Sequence, residues 1–162
     1  MTVSYNRGMR RAKKPILFTK DGYEKKLAEL KLLQEKRIPA VAELQFARDQ
    51  GDRSENGAYK AARWKLSGID SQIRRINAIL RTAQVVAKPS DSKIGLGSEI
   101  QVIWNEEKKN FTIVGQEESD LSQGRISQFS PIGKALIGKE AGQTIDILVP
   151  AGKQVIEIVT VA

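Results

Sequence analysis

The chain has 162 residues, 40% of them hydrophobic, which suffices for one ordinary domain or two small ones with at least one modest core. It has neither cysteine nor histidine, which excludes disulfides, thiolate chemistry, zinc ribbons and imidazole acid-base catalysis, so any catalysis must rest on carboxylates. The net charge of +8 is unevenly placed, with 19 Lys/Arg against 9 Asp/Glu in residues 1 to 84 and 8 against 10 in residues 85 to 162. A basic half of that strength suits a polyanionic partner such as RNA or DNA, held by phosphate attraction that weakens as salt rises. It suits equally a solvated helix surface that keeps the protein soluble. No stretch of about 18 apolar residues could span a bilayer and nothing near the start resembles a secretory leader, so a cytoplasmic location and no membrane partner are expected.

Residues 1 to 15 carry Arg7, Arg10, Arg11, Lys13 and Lys14 without periodicity and are expected to be a disordered basic arm. Asp21 and Glu24 have the spacing of a capping box and predict a helix start near residues 19 to 21. Leu27, Leu30, Leu33, Val41, Leu44 and Ala47 then form an apolar stripe to about Asp49, opposite Lys31, Lys36 and Arg48, with a kink expected at Pro39. The second helix is the clearest signal: Tyr59, Ala62, Leu66, Ile69, Ile73, Ile76 and Leu80 follow strict 3,4 spacing, a coiled-coil seam. Two such helices joined by a short polar segment bury their stripes by folding back on each other. Residues 16 to 86 are therefore expected to be an antiparallel hairpin, an arm of about 45 Å.

Residues 87 to 97, rich in Pro, Ser and Gly, predict a linker or the first turns of a second domain spanning 87 to 162. Strands are predicted at 99 to 104, 111 to 115, 143 to 149 and 154 to 161, with a turn at Ala151-Gly152 and a short helix around Ile132 to Ile137. The fold class is α+β.

The segment joining the helices reads Asp49-Gln50-Gly51-Asp52-Arg53-Ser54-Glu55-Asn56, so the charge reverses at the far end of a basic arm. Gly51 permits a tight bend, and Asp52 and Glu55, three residues apart, face one side of an incipient helical turn. The same Asp-x-x-Glu spacing is also that of a helix cap. Two or three carboxylates complete a partly built Mg²⁺ site but do not make a tight one, because the ion takes six oxygen ligands. Such a tip works inside another protein.

At GDRSENGAYKAA, from Gly51 to Ala62, the sequence resembles the Gre family of bacterial transcription elongation factors, whose pattern is close to GD-x-x-EN-x-x-Y. The resemblance continues through FTKDGYEKKLAEL, QVV after the second helix, IVGQEESD from Ile113 to Asp120, and SPIGKALIGKEAG from Ser130 to Gly142, and covers nearly everything after residue 16. GDRSEN and the basic helices look like the GreB type, whereas SPIGKALIGKEAG and the Ala-Arg-Asp before the tip look closer to GreA.

This resemblance implies a coiled-coil arm inserted through the secondary channel of RNA polymerase and a C-terminal, FKBP-like antiparallel β domain gripping the channel rim. It implies a monomeric cofactor, not itself an enzyme, that stimulates the polymerase's own cleavage of backtracked nascent RNA. Carried over residue by residue, Asp52 and Glu55 match the tip acids and Asp49 an auxiliary one, sharing a Mg²⁺ with the polymerase aspartates. Asp52 is the foremost metal ligand, with Asn56 and Tyr59 in support. Arg48, Arg53, Lys60, Arg63 and Lys65 are candidates for steering the RNA. Ser130, Pro131, Lys134 and Lys139 are candidates for rim contact, while Ile132, Leu136 and Ile137 are expected in the core. The chain departs from the pattern at Gly57-Ala58, where most relatives carry an alanine and then an acid, so the tip is less acidic than usual. The nearest alternative is an anti-cleavage regulator of the same fold that blocks the channel. Two further readings are a prolyl isomerase, suggested only by the FKBP likeness, and a generic coiled-coil nucleic-acid binder, suggested only by charge.

Overall fold

The computed structural model describes residues 14–50, 57–89, 92–149 and 152–162. Most of the expected basic arm, the joining segment from Gly51 to Asn56 and Ala151 of the expected turn lie outside the described residues.

The first element is a strand, β1 (Ile16–Phe18), which pairs in parallel with β2 (Ala83–Val85). Between them run two helices, α1 (Lys20–Asp49) and α2 (Gly57–Leu80). The helix starts where expected, but its cap is a different residue. Thr19, not Asp21, is the N-cap, and its hydroxyl accepts the Gly22 amide at 3.0 Å. A threonine in extended conformation one residue before the helix reaches the free amide two to three residues on, whereas Asp21 already lies inside the first turn. The helix continues through Pro39.

The helices form the expected hairpin. Every predicted seam residue of α2 is at least partly buried, with Ala62 and Ile76 fully so. On α1 the expected Leu30, Leu33, Val41, Leu44 and Ala47 are buried or half-buried, joined by Lys26 and Ala40. Leu27, placed on the stripe by its apolar character, is 42% exposed. Exposed Arg37 reaches across to Asp70 of α2, Nε to Oδ1 2.7 Å, and Lys65 of α2 meets Glu43 of α1 at 2.6 Å. Both pairs are substantially exposed and contribute little to stability, but they fix the register of the two helices.

The second half is a five-stranded sheet in the order β5-β4-β3-β7-β6, made of β3 (Glu99–Trp104), β4 (Glu107–Val114), β5 (Arg125–Ser127), β6 (Thr144–Val149) and β7 (Gly152–Val161). All its pairings are antiparallel except β4 with β5. The helix α3 (Pro131–Leu136) covers one face. Alternate residues Ile100 and Val102, Phe111 and Ile113, Ile145 and Ile147, and Ile156 and Ile158 point inward as the pleat requires, joined by Leu136 of α3 and by Ile94. Ile94 comes from the segment expected to be linker, and its backbone bonds to Gly138 and Lys139, so that segment's second half belongs to the domain. Ile137, expected in this core, is instead 38% exposed, because α3 ends at Leu136 and residue 137 leaves the helix.

Candidate functional site at the hairpin tip

The tip depends on what holds the base of the arm. Among the described residues the C-terminal domain clasps the hairpin at one end, through Glu118. Its carboxylate accepts the Thr19 amide at 2.8 Å, the Thr19 hydroxyl, the Gly115 amide at 3.3 Å and Arg125 Nη2 at 3.0 Å, with the Glu118 side chain 2% exposed. Two glycines make this approach possible. A Cβ on Gly22 would overlap Glu118, and one on Gly115 would overlap the Leu17 carbonyl. Arg75 of α2 adds an outer ion pair to Glu117 at 3.7 Å. Asp120, in the same loop, accepts from the Ser122 hydroxyl and amide, and the hydroxyl bond is the main cause of its carboxyl lying below the usual carboxylate range.

From this junction the helices project away. Gly22 and Asp49 are 27 positions apart on one helix, so the last residue of α1 stands about 40 Å from the junction. Asp49 is exposed there, and α2 resumes at Gly57, also exposed. Asp52, Arg53, Glu55 and Asn56 lie outside the described residues, as does the bend at Gly51. Among the described residues no group of three or more His, Cys, Asp or Glu converges as a metal site. Asp49 alone offers one carboxylate, a donor of the oxygen type that Mg²⁺ takes but far short of its six ligands.

The structure brings the remaining candidates together around the same end. Arg48, Lys60 and Arg63 are exposed and have no ion pair among the described residues, while Lys65 is held by Glu43. Tyr59 is half-buried at the first seam position of α2. Ala47 and Ala62 are buried beside it, so the helices stay closed up to the last described turn.

Ser130, Pro131, Lys134 and Lys139 lie on the C-terminal domain, at or after α3. Ser130 is occupied structurally, since its hydroxyl caps α3 by accepting from the Gly133 amide at 3.0 Å and donates to the Ser127 carbonyl at 2.7 Å. Pro131, Lys134 and Lys139 are exposed around it. The domain's aromatics do not suggest a proline pocket. Phe111 is buried in the core, Trp104 packs near it with its indole N–H on Gln154, and Phe129 is 56% exposed. Sequence reasoning missed Glu118 and Thr19 as the clasp. The signal lies in IVGQEESD, which displays an acid near Gly115 but gives no sign of its partner.

Residues 16–85 match the family description "Transcription elongation factor, N-terminal", and residues 88–162 match "Transcription elongation factor, GreA/GreB, C-term". The chain belongs to the GreA/GreB family. It is 40% identical over 152 residues to the transcription elongation factor GreA of Thermodesulfovibrio yellowstonii, covering 91% of this chain and 96% of that protein. It is 40% identical over 151 residues to GreA of Rhodospirillum rubrum, covering 90% and 96%. Among solved structures, it is 27% identical to GreA factor homolog 1 of Thermus thermophilus, covering 92% of this chain and 99% of that one at a TM-score of 0.45. These GreA/GreB relatives are transcription elongation factors by name, and among the described residues no helix is long and apolar enough to cross a membrane.

Proposed function

We propose that this GreA/GreB family member binds RNA polymerase through its C-terminal domain, extends the hairpin down the secondary channel and stimulates Mg²⁺-dependent cleavage of backtracked RNA. The observation that carries the reading is the separation between a junction clasped at one end of the hairpin and the exposed Asp49 at the end of α1, about 40 Å away, after which the acidic run of the sequence follows. A tip so far from its own domain has no use inside this chain and is free to complete a site in another.

In this reading Asp52 and Glu55 supply oxygen ligands to an ion held mostly by the polymerase, and Asp49, at the end of α1, adds charge from beside them. Bound there, Mg²⁺ supplies acidity to water and offsets charge on the phosphorus. Tyr59 and Asn56 keep the start of α2 in place behind the acids. Arg48, Arg53, Lys60, Arg63 and Lys65 draw the extruded RNA toward the tip. Pro131, Lys134 and Lys139 face the channel rim. The chain is then a monomeric cofactor for an endonuclease that resides in the polymerase, acting in the cytoplasm.

The test is to add the chain to a stalled, backtracked polymerase complex with Mg²⁺. Shortened RNA is expected. RNA that stays intact, and is protected from intrinsic cleavage, would instead identify a channel-blocking regulator.

A further inference from the structure

Trp64 is the most exposed large hydrophobic side chain among the described residues, at 81% of its surface. An indole combines a large apolar face with one polar N–H and suits contacts that are part apolar and part wet, so its surroundings are informative. It stands on the face of α2 turned away from α1, since the seam residues Ala62, Leu66 and Ile69 define the opposite face. Its neighbours one turn away are Lys60, Ala61, Ser67 and Gly68, three of them small, and a Cβ added to Gly68 meets nothing within 4 Å. The ring therefore rises above a low strip on which Lys60 is the one long side chain.

The charge that α2 places around it is positive. Arg63 and Lys65 flank Trp64 in sequence, Lys65 already paired with Glu43 of α1, Lys60 lies one turn before it, and the only acid on α2, Asp70, is engaged by Arg37. Lys60 and Arg63 have no ion pair among the described residues. An uncovered aromatic ring among cations is how proteins hold single-stranded nucleic acid: cations follow the backbone, and rings stack on bases irrespective of sequence. The placement adds direction, because Trp64 lies about 10 Å along α2 from Gly57. RNA passing the tip and continuing along the arm would cross it.

We propose that Trp64 is a stacking platform for an unpaired base of the extruded RNA, holding the segment beyond the cleavage point against the arm. The use of that RNA rests on the function proposed above, but the stacking itself does not. Trp64 is a positioning residue in this scheme and takes no part in metal binding. The cations and the open strip favour RNA over a protein wall as the occupant.

Binding of the full chain to a labelled oligoadenylate and to an abasic sugar-phosphate strand of equal length, followed by anisotropy at low salt, tests the stacking. The oligoadenylate is expected to bind more tightly than the abasic strand. Trp64→Ala is expected to weaken oligoadenylate binding by about 5- to 150-fold, the range of one lost base stack, with Trp64→Phe retaining most of it. In a Trp104→Phe background, where Trp64 is the only tryptophan, the oligoadenylate should quench its fluorescence and the abasic strand should not. Equal binding of the two strands, or no effect of Trp64→Ala, overturns the proposal.

A second arm uses backtracked polymerase complexes. Trp64→Ala should leave cleavage unchanged when the extruded segment is short and slow it when the segment is long. An equal loss at every length, or weaker binding to polymerase with no extruded RNA, would place Trp64 against the polymerase and overturn the proposal. Should the native chain promote no cleavage in any complex, the functional reading falls while the titration still decides the stacking.

Discussion

Towards the base of the hairpin the buried seam is filled by Leu33, Ile76 and Ile79, whereas in the half nearest the tip the buried positions are Ala40, Ala47 and Ala62. Branched side chains remove more apolar surface from water, so the base carries most of the stability. Alanines bury little but let the helices approach closely, since interaxial distance depends on the side chains at the contact. The result is an arm anchored at one end and slender at the other. The base also has the polar clasp to the second domain, at Glu118 with the Arg75–Glu117 pair beside it, and the tip has none among the described residues.

The contrast is broken most severely at the clasp. Glu118→Ala leaves Arg125 and the Thr19 amide facing each other without their shared acceptor, and should destabilise the fold by about 3 kcal/mol or more in chemical denaturation. Ile76→Ala, at the base seam, should cost roughly 2–4 kcal/mol. Ala62→Leu, at the slender end, should cost less in stability, about 1–3 kcal/mol, through overpacking. Its effect on RNA cleavage should exceed that of Ile76→Ala, because it widens the part of the arm that must enter the channel. Equal losses of cleavage from the two would remove the distinction between base and tip.

The smallest effect concerns Asp120. Its folded-state pKa is depressed, mainly by the Ser122 hydroxyl, so its contribution is present above the unfolded carboxylate range and is lost as pH falls through the folded value. Asp120→Asn should flatten the acid limb of the stability curve slightly, as read from thermal melts at descending pH.

The second helix was fully legible because its seam consists of Ile, Leu, Tyr and Ala in unbroken 3,4 spacing. The first was legible except at its start, where Lys26 is half-buried and Leu27, selected by its apolar character, is exposed, because a lysine stem covers apolar surface while its charge stays in water. Strands β1, β2 and β5 have three residues each, too few for alternation to show. Strand β4 begins four residues before its apolar part, after a two-residue turn in which Asn105 and Glu106 both have positive φ, and Glu106 is not a residue that announces such a turn. As for the site, the sequence displays Asp49, Asp52 and Glu55 as neighbours, whereas the clasp that holds the arm joins residues 99 positions apart and becomes visible only in three dimensions.

The most direct measurement compares the native chain with Asp52→Asn on the same backtracked complex across several Mg²⁺ concentrations, with polymerase affinity measured in parallel. Losing a ligand charge should lower the cleavage rate by roughly 100-fold or more while leaving polymerase binding unchanged. Cleavage that persists in Asp52→Asn at every concentration would contradict the account and leave the arm's positive charge as its active feature.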